Sequence, residues 1–313
     1  MTHGTGRFAP SPTGSLHAGS LLAAAGSYLD ARANGARWLV RIEDLDTARV
    51  IPGCADDMLR TLEAYGFEWD GEVVYQSSRR AAYAEALATL AAAHRTFGCS
   101  CSRKDLAGAA EDPQGYPGTC RSRPSRPGPT AQRFRVSDSR VTFDDLFQGS
   151  QAFDSRALGD FVVERRDGLA SYQLAVVVDD AWQNVTRVVR GADLIASTPW
   201  QIELQDALGL PLPIYGHLPL VTEPGGEKLS KSQRAISIPT PSGVALDGQR
   251  SELNAVAQEL NSTLTLLSHP PPAELAQAPI KEVWDWALAH WRPQALAGLK
   301  QVELSAKGDM KQK

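Results

Sequence analysis

No stretch of this sequence approaches the roughly 18 consecutive apolar residues of a membrane helix. Its opening, "MTHGTGRFAPSPTG", has no basic segment followed by an apolar one, the pattern of a secretion signal, and a cytoplasmic protein is the expectation. An overall excess of positive charge is also missing. Lys and Arg number 32 against 36 Asp and Glu, a formal net charge of −4, so any nucleic-acid surface must be a local basic patch. Cysteine is scarce: Cys54, Cys99, Cys101 and Cys120 are all that 313 residues contain. Three of them fall between positions 99 and 120, which in a cytosolic chain suggests a metal more than disulfides. Internal repeats are absent.

What is present is a globular composition, 42% hydrophobic, with length for about two domains. Arg7–Ala9 reads as a short buried strand stopping at Pro10. A helix follows from about His17 to Ala33, with Asn34-Gly35 as its stop. "RWLVRIED" reads as a second strand, and helices follow at about Gly53–Tyr65 and Ser78–Phe97. Strand, helix, strand, helix implies an α/β fold with a parallel sheet and crossover helices. The pattern breaks at Gly98. Cys99 to about Ala131 is rich in Cys, Pro, Gly and Arg and reads as an insertion, with "RFRV" and "VTFDDLFQG" as short strands closing it. Sheet patterning resumes at "DFVVERRDG", "YQLAVVVDDA" and "NVTRVVRGADL". "STPWQIELQDALG" predicts a helix capped by Ser197 or Thr198 and stopped by Gly209. Beyond Ile238 "SELNAVAQELN" and "IKEVWDWALAHW" have helical spacing.

Two segments carry phosphate chemistry. "RFAPSPTGSLHAGS" is a strand whose Pro/Gly/Ser turn opens a helix, and the unpaired N–H groups of a helix start favour phosphate. Gly14 and Gly19 would let a ligand approach the backbone, and His17 can donate to a phosphate oxygen; a plain strand–helix turn with a solvated His17 fits the same residues. In "GEKLSKSQRA" (226–235) Lys228 and Lys231 are mobile charges suited to phosphates that gain charge in a transition state. Such lysines also occur in ordinary solvated loops, but both elements at the two ends of one α/β region are harder to explain that way.

"PTGSLHAGS" and "KLSKS" resemble the two ATP-binding signatures of class I aminoacyl-tRNA synthetases. The first departs from the usual His-x-Gly-His: it reads His17-Ala18-Gly19-Ser20, and its last histidine is missing, as it also is in glutamyl members of the class. The resemblance assigns ATP binding to His17, Gly19, Lys228, Ser230 and Lys231, with His17, Lys228 and Lys231 in catalysis. "RFAPSPTG", "RIEDLD", "YQLAVVVDD" and "VVRGADL" resemble glutamyl-tRNA synthetases in particular. That resemblance places glutamate on Arg7, Ala9, Ser11, Glu43, Tyr172 and Arg190. The chemistry is consistent: Glu43 suits the ammonium, and Arg7 or Arg190 offers a bidentate fork to a carboxylate. Which arginine takes which carboxylate stays open, and Glu43 with Arg190 also fits a structural ion pair.

"CSCSRKDL…GYPGTC" resembles the shortened glutamyl-queuosine paralogues of this family, and the resemblance implies one zinc ion per chain on Cys99, Cys101, Tyr116 and Cys120. It also implies the substrates: ATP with Mg²⁺, L-glutamate, and aspartate tRNA carrying queuosine in its anticodon loop. After Ser232 only 81 residues remain (313 − 232), room for a short helical stem and no anticodon-binding domain. Arg121, Arg123, Arg126, Arg133 and Arg135 are candidate contacts to RNA phosphates, or solvated loop residues. The expected architecture is therefore a Rossmann-type parallel-sheet catalytic domain (1–97 and 161–240), a zinc-bearing insertion (98–160) and a short helical C-terminal region (241–313), in a monomer. Three other readings use the same residues: a minimal glutamyl-tRNA synthetase charging the 3′ end of glutamate tRNA, a non-enzymatic RNA-binding paralogue, and a small-molecule adenylating ligase.

Overall fold

The structure is a computed structural model; it describes residues 4–107, 116–122, 128–222, 238 and 249–303. The chain begins with strand β1 (Thr5–Phe8), helix α1 (Ala18–Ala33), strand β2 (Arg37–Ile42), helix α2 (Cys54–Ala64) and the short strand β3 (Val74–Tyr75). These three strands are parallel in the order β1-β2-β3. Helix α1 ends as its sequence predicts, at Asn34, with Gly35 in the left-handed region at φ 64°.

A 3₁₀ turn (Gln76–Arg79) leads into α3 (Arg80–Ala92), and the residues expected to finish that helix form strand β4 (Thr96–Cys99) instead. His94 marks the break with φ 55°, a conformation that cannot continue a right-handed helix. After the short helix α4 (Arg103–Ala107) come β5 (Ala131–Phe134), β6 (Arg140–Asp145), β7 (Gly149–Asp154), α5 (Ser155–Leu158) and β8 (Phe161–Glu164). Strands β4, β5 and β8 pair antiparallel in the order β4-β5-β8 and form the sheet of the cysteine lobe.

Next are α6 (Tyr172–Trp182), β9 (Arg187–Gly191), α7 (Thr198–Leu208), β10 (Ile214–Leu218) and β11 (Leu220–Thr222). Helices α8 (Gln249–Leu266) and α9 (Ile280–His290) and strand β12 (Gln301–Glu303) complete the described chain. A second sheet has the order β7-β6-β10-β9, with β9, β10 and β6 parallel. The Thr186 N–H donates to the Thr5 carbonyl at 2.9 Å, so the two parallel groups meet between β1 and β9. The result is a Rossmann-like α/β sheet with α1 behind it, and its ligand crevice belongs at the carboxyl ends of β1 and β9.

Three sequence expectations are corrected here. "YQLAVVVDDA" is a helix, not a strand. Ser171 caps it, accepting from the Leu174 N–H, and Leu174, Ala175, Val176, Val177, Asp179 and Asp180 are all buried. Burial on nearly every side erases the amphipathic period that would distinguish such a helix from a buried strand. The strand in "VTFDDLFQG" does not close the lobe: β6 pairs with β10 in the main sheet. Helix α7 starts at Thr198 and stops at Gly209 with φ 63°, but no side chain caps its start; the Thr198 hydroxyl is used elsewhere, as described below. Among the described residues no helix is long and apolar enough to cross a membrane.

Candidate active site

The turn between β1 and α1 opens onto a cavity of about 560 Å³ lined by Ser11, Thr13, Gly14, His17, Gly19 and Asp193 among others. His17 is the N-cap of α1, and its Nδ1 accepts the Ser20 N–H at 3.2 Å. This satisfies one orphan donor of the helix start and leaves the proton of the neutral ring on Nε2, free to donate to a ligand oxygen. Burial lowers the imidazole pKa, against the pull of Asp193. Gly19 has a more local purpose than ligand approach. A Cβ there would lie 3.1 Å from His17 Cε1 and 3.2 Å from Nδ1, whereas nothing lies within 4 Å of the Cβ position of Gly14. Gly19 makes room for the histidine ring, and Gly14 leaves the open approach. Lys228, Ser230 and Lys231 lie outside the described residues.

A second cavity, of about 830 Å³, shares Ser11 with the first and is lined by Glu43, Asp46, Arg49, Arg165 and Tyr172. Glu43 stands at the end of β2, its N–H bonded to the Pro10 carbonyl at 2.9 Å. Burial raises its carboxyl pKa, while Arg41 and Arg7 oppose the rise. Behind it lies a charge cluster with no route to water. Arg41 is 0% exposed and donates to Asp180 at 2.8 Å and to Gln183 at 2.6 Å, with Glu43 at 3.4 Å. Arg7 reaches both oxygens of Asp180 through Nε, at 3.2 and 3.3 Å, and the Val189 carbonyl through Nη1 at 3.4 Å. Burial would raise Asp180, but Arg7 and Arg41 outweigh it and hold the carboxyl below its usual range. Among the described residues nothing accepts from Arg7 Nη2.

Arg190, at the carboxyl end of β9, is held on three sides. Its Nε donates to His217 Nε2 at 3.2 Å, Nη1 to the Tyr172 hydroxyl at 3.4 Å and Nη2 to Thr198 Oγ1 at 2.9 Å. Glu43 and Arg190 do not pair with each other. The structure brings Ser11, Glu43 and Tyr172 to one cavity wall, with Arg190 bonded to Tyr172 and Arg7 close enough to act on the Glu43 charge. Ala9 is partly exposed at the end of the first strand. The sequence reading passed over Arg41, Asp180, Asp145 and His217. One signal was available for the first two: an arginine inside "RWLVRI" and two aspartates closing a valine run can be buried only if they find each other. Asp44, which matches the glutamyl pattern, accepts from the backbone and hydroxyl of Ser77 at 2.8 and 2.6 Å and holds the loop.

The lobe carries the second candidate centre. The sulfur atoms of Cys99, Cys101 and Cys120 all lie within 4.8 Å of one another, and none is in a disulfide. Thiolates at about 2.3 Å from a tetrahedral zinc would stand about 3.8 Å apart, so the three sulfurs fit such an ion. The Tyr116 hydroxyl accepts the Cys120 N–H at 2.7 Å and lies 3.5 Å from Cys99 Sγ, which places an oxygen beside the three sulfurs. Burial opposes a Cys120 thiolate, yet hydrogen bonds from Tyr116, the Ser100 backbone and the neighbouring cysteines bring that thiol down to about 7. Gly159, at φ 73°, lets this loop approach: a Cβ there would stand 2.8 Å from the Tyr116 nitrogen.

Of the five lobe arginines named as candidate phosphate contacts, the three described ones all have partners within the protein, and only Arg133 is buried. Arg133 is buried, donates to the Asp160 carbonyl at 2.8 Å and lies over the Tyr116 ring at 4.0 Å. Arg135 donates to the Arg121 carbonyl and covers Phe97. Arg121, partly exposed, donates to the Val136 carbonyl at 2.8 Å and pairs with the Asp160 carboxylate at 3.4 Å. Arg123 and Arg126 lie outside the described residues.

Comparison with known proteins matches residues 5–253 to the family "tRNA synthetases class I (E and Q), catalytic domain". The glutamyl-Q tRNA(Asp) synthetase of Dechloromonas aromatica is 52% identical over 293 residues, 91% of this chain and 93% of that protein. The one of Chromobacterium violaceum is 50% identical over 306 residues, 96% of this chain and 98% of that protein. Among solved structures, a glutamate tRNA ligase from Elizabethkingia meningosepticum in complex with its amino acid superposes with a TM-score of 0.79 at 23% identity, covering 98% of this chain and 68% of that one. That likeness shows the fold.

Proposed function

We infer the activity from one premise: the chain belongs to the class I tRNA synthetases of the glutamyl and glutaminyl type and, within them, to the glutamyl-Q tRNA(Asp) synthetases. It activates L-glutamate with ATP and transfers the glutamyl group to queuosine in the anticodon loop of tRNA(Asp). The observation that carries this reading is the pair of cavities joined at Ser11, one headed by a helix start and His17, the other walled by Glu43 and Tyr172.

ATP enters as its magnesium complex. The phosphates lie at the start of α1, where backbone N–H groups and the His17 Nε2–H meet their oxygens and Gly19 leaves room for the ring. Glu43 takes the ammonium of glutamate. Arg7 and Arg190, with Tyr172, take its carboxylates, and Ala9 and Ser11 shape the wall between the two sites. An α-carboxylate oxygen then attacks the α-phosphorus, the bond to the β-phosphate bridging oxygen breaks, and pyrophosphate leaves. Lys228 and Lys231, with Ser230, neutralise the charge that develops on it. The enzyme works by positioning and charge, without a covalent enzyme intermediate. This step proceeds without tRNA. A hydroxyl of the queuosine cyclopentenediol next attacks the carbonyl carbon of the adenylate, loses its proton and displaces AMP.

Cys99, Cys101, Cys120 and Tyr116 would hold one zinc ion, which would serve as a structural cross-link of the lobe's loop. The enzyme acts as a cytoplasmic monomer, with the cysteine lobe built on β4, β5 and β8 facing the RNA.

The test is transfer of labelled glutamate to two purified RNAs, queuosine-containing aspartate tRNA and glutamate tRNA, each with its 3′ ribose intact or oxidised. Label on aspartate tRNA that requires queuosine and survives oxidation is the expected result. Label restricted to intact glutamate tRNA would replace this reading with a minimal charging synthetase.

A further inference from the structure

We propose that Asp145 and His217 are positioning residues that set the plane of Arg190 for the glutamate carboxylate, through a histidine held in one tautomer. The proposal rests on the reading above that Arg190 binds glutamate.

His217 and Arg190 are neighbours in the parallel register of β10 and β9. The His217 side chain is wholly buried, as is that of Asp145. The two oxygens of Asp145 have separate duties. Oδ1 accepts three backbone N–H groups, from Phe147 at 3.0 Å, Gln148 at 2.9 Å and His217 at 3.0 Å. Oδ2 faces His217 Nδ1 at 2.5 Å. A carboxylate is acceptor-only, so Nδ1 carries the proton and Nε2 presents its lone pair.

That lone pair is what Arg190 needs. Nε2 lies 3.2 Å from Arg190 Nε and 3.2 Å from Thr198 Oγ1. Thr198 in turn accepts from Arg190 Nη2 at 2.9 Å. Two acceptors on one edge fix the guanidinium plane, and Nη1 is thereby directed to Tyr172, which lines the glutamate cavity. With the other tautomer, or a protonated ring, an N–H would face the Arg190 Nε–H, donor against donor. Burial and the Arg190 charge both keep the ring from protonating, though Asp145 pulls the other way. A carboxylate placed directly on Arg190 would also orient it, but would neutralise the charge the substrate needs. A neutral imidazole between the two orients the guanidinium without pairing it.

Asp145→Asn separates this from a general packing role. The three backbone donors keep an oxygen at the Oδ1 position, so the amide nitrogen must take the Oδ2 place and donate to Nδ1. The tautomer inverts with almost no change in shape. We expect nitrogen NMR of histidine-labelled D145N to show His217 protonated at Nε2, and ATP–pyrophosphate exchange to show a glutamate KM raised about tenfold or more, the scale of one lost hydrogen bond to a charged group. The KM for ATP should hold. His217→Gln keeps an acceptor near the Nε2 position and should recover more glutamate affinity than His217→Asn, which keeps only the donor to Asp145. This pair carries the test if D145N does not fold.

An inverted tautomer with unchanged glutamate KM overturns the proposal. So does equal loss in the KM for glutamate, the KM for ATP and thermal stability, which is the mark of a purely structural pair. Arg190→Ala, measured alongside, tells the two readings apart. If it leaves the glutamate KM unchanged, the assignment of Arg190 itself is wrong and the inference falls with it; if it raises KM while D145N and H217N do not, only the inference falls.

Discussion

The arginines of the main sheet are more deeply buried than most of those in the cysteine lobe, and most of their partners differ too. Arg7 and Arg41 meet the Asp180 carboxylate and Arg190 meets a neutral imidazole. Arg133 and Arg135 meet carbonyls and lie on ring faces, while Arg95 covers Phe134 and pairs only at 3.5 Å with Glu203. A carboxylate partner lets the guanidinium charges be buried next to a cavity. A carbonyl and a ring face hold the guanidinium as a strut, with its apolar surface serving as packing. On the proposed function, the first set keeps charge for a substrate and the second builds the lobe.

The sharpest way to break this comparison is at Asp180. Asp180→Ala leaves Arg7 and Arg41 buried beside a missing charge, and we expect a loss of roughly 3–5 kcal/mol in denaturant unfolding. ATP–pyrophosphate exchange with glutamate should be abolished. Unchanged stability would mean that water or Glu43 takes over the pair and that the cluster is not built around Asp180. Glu43→Gln is next. Removing the charge that faces the ammonium should raise the glutamate KM about 30-fold or more, with the KM for ATP held. Because burial raises the Glu43 carboxyl, the wild type has its own version of the effect. The ionised form binds, so glutamate affinity falls as pH is lowered through the raised Glu43 range, starting at a higher pH than an ordinary glutamate would show. The variant should lose that acid limb in the pH dependence of kcat/KM for glutamate.

The two sets were not equally legible in the sequence. The helix start with His17 was readable because it is local: a strand, a turn with Pro and Gly, and an apolar helix stand within thirty residues of chain. Glu43 and Tyr172 came from the resemblance to the glutamyl family, and their shared cavity could not be read from spacing. Asp180 and His217 were not read because their meaning depends on partners 173 and 27 residues away. The misreading of "YQLAVVVDDA" had the same root. A helix buried on all sides and a buried strand have the same composition, and only Ser171 ahead of it hinted at a helix start. In the lobe the cysteine spacing was informative of the sulfur cluster that the fold assembles. The burial of Arg133 was not legible there, because sequence shows charge without showing what covers it.

The lobe supplies the smaller tests. Cys101→Ser should reduce bound zinc from one per chain to none, measured by metal analysis, and lower the Tm by about 4 °C or more, while tRNA-independent ATP–pyrophosphate exchange continues. Loss of exchange in parallel with zinc would mean that the cysteine centre and the sheet site are not separate.

Arg133→Lys is the finest cut, because it keeps the charge and removes only the strut. Lysine cannot donate along a plane to the Asp160 carbonyl while covering the Tyr116 ring, so the loss should be about 1 kcal/mol, read as a small fall in Tm. The salt dependence of tRNA binding should stay as in wild type. A phosphate contact would behave differently under a change to alanine: the slope of log affinity against log salt would fall by about 1. Arg133→Ala that lowers Tm and leaves the slope alone places this arginine with the packing of the lobe. Arg133→Ala that lowers the slope and leaves Tm alone would move it to the RNA surface, and the contrast between the two arginine sets would then be one of location and not of purpose.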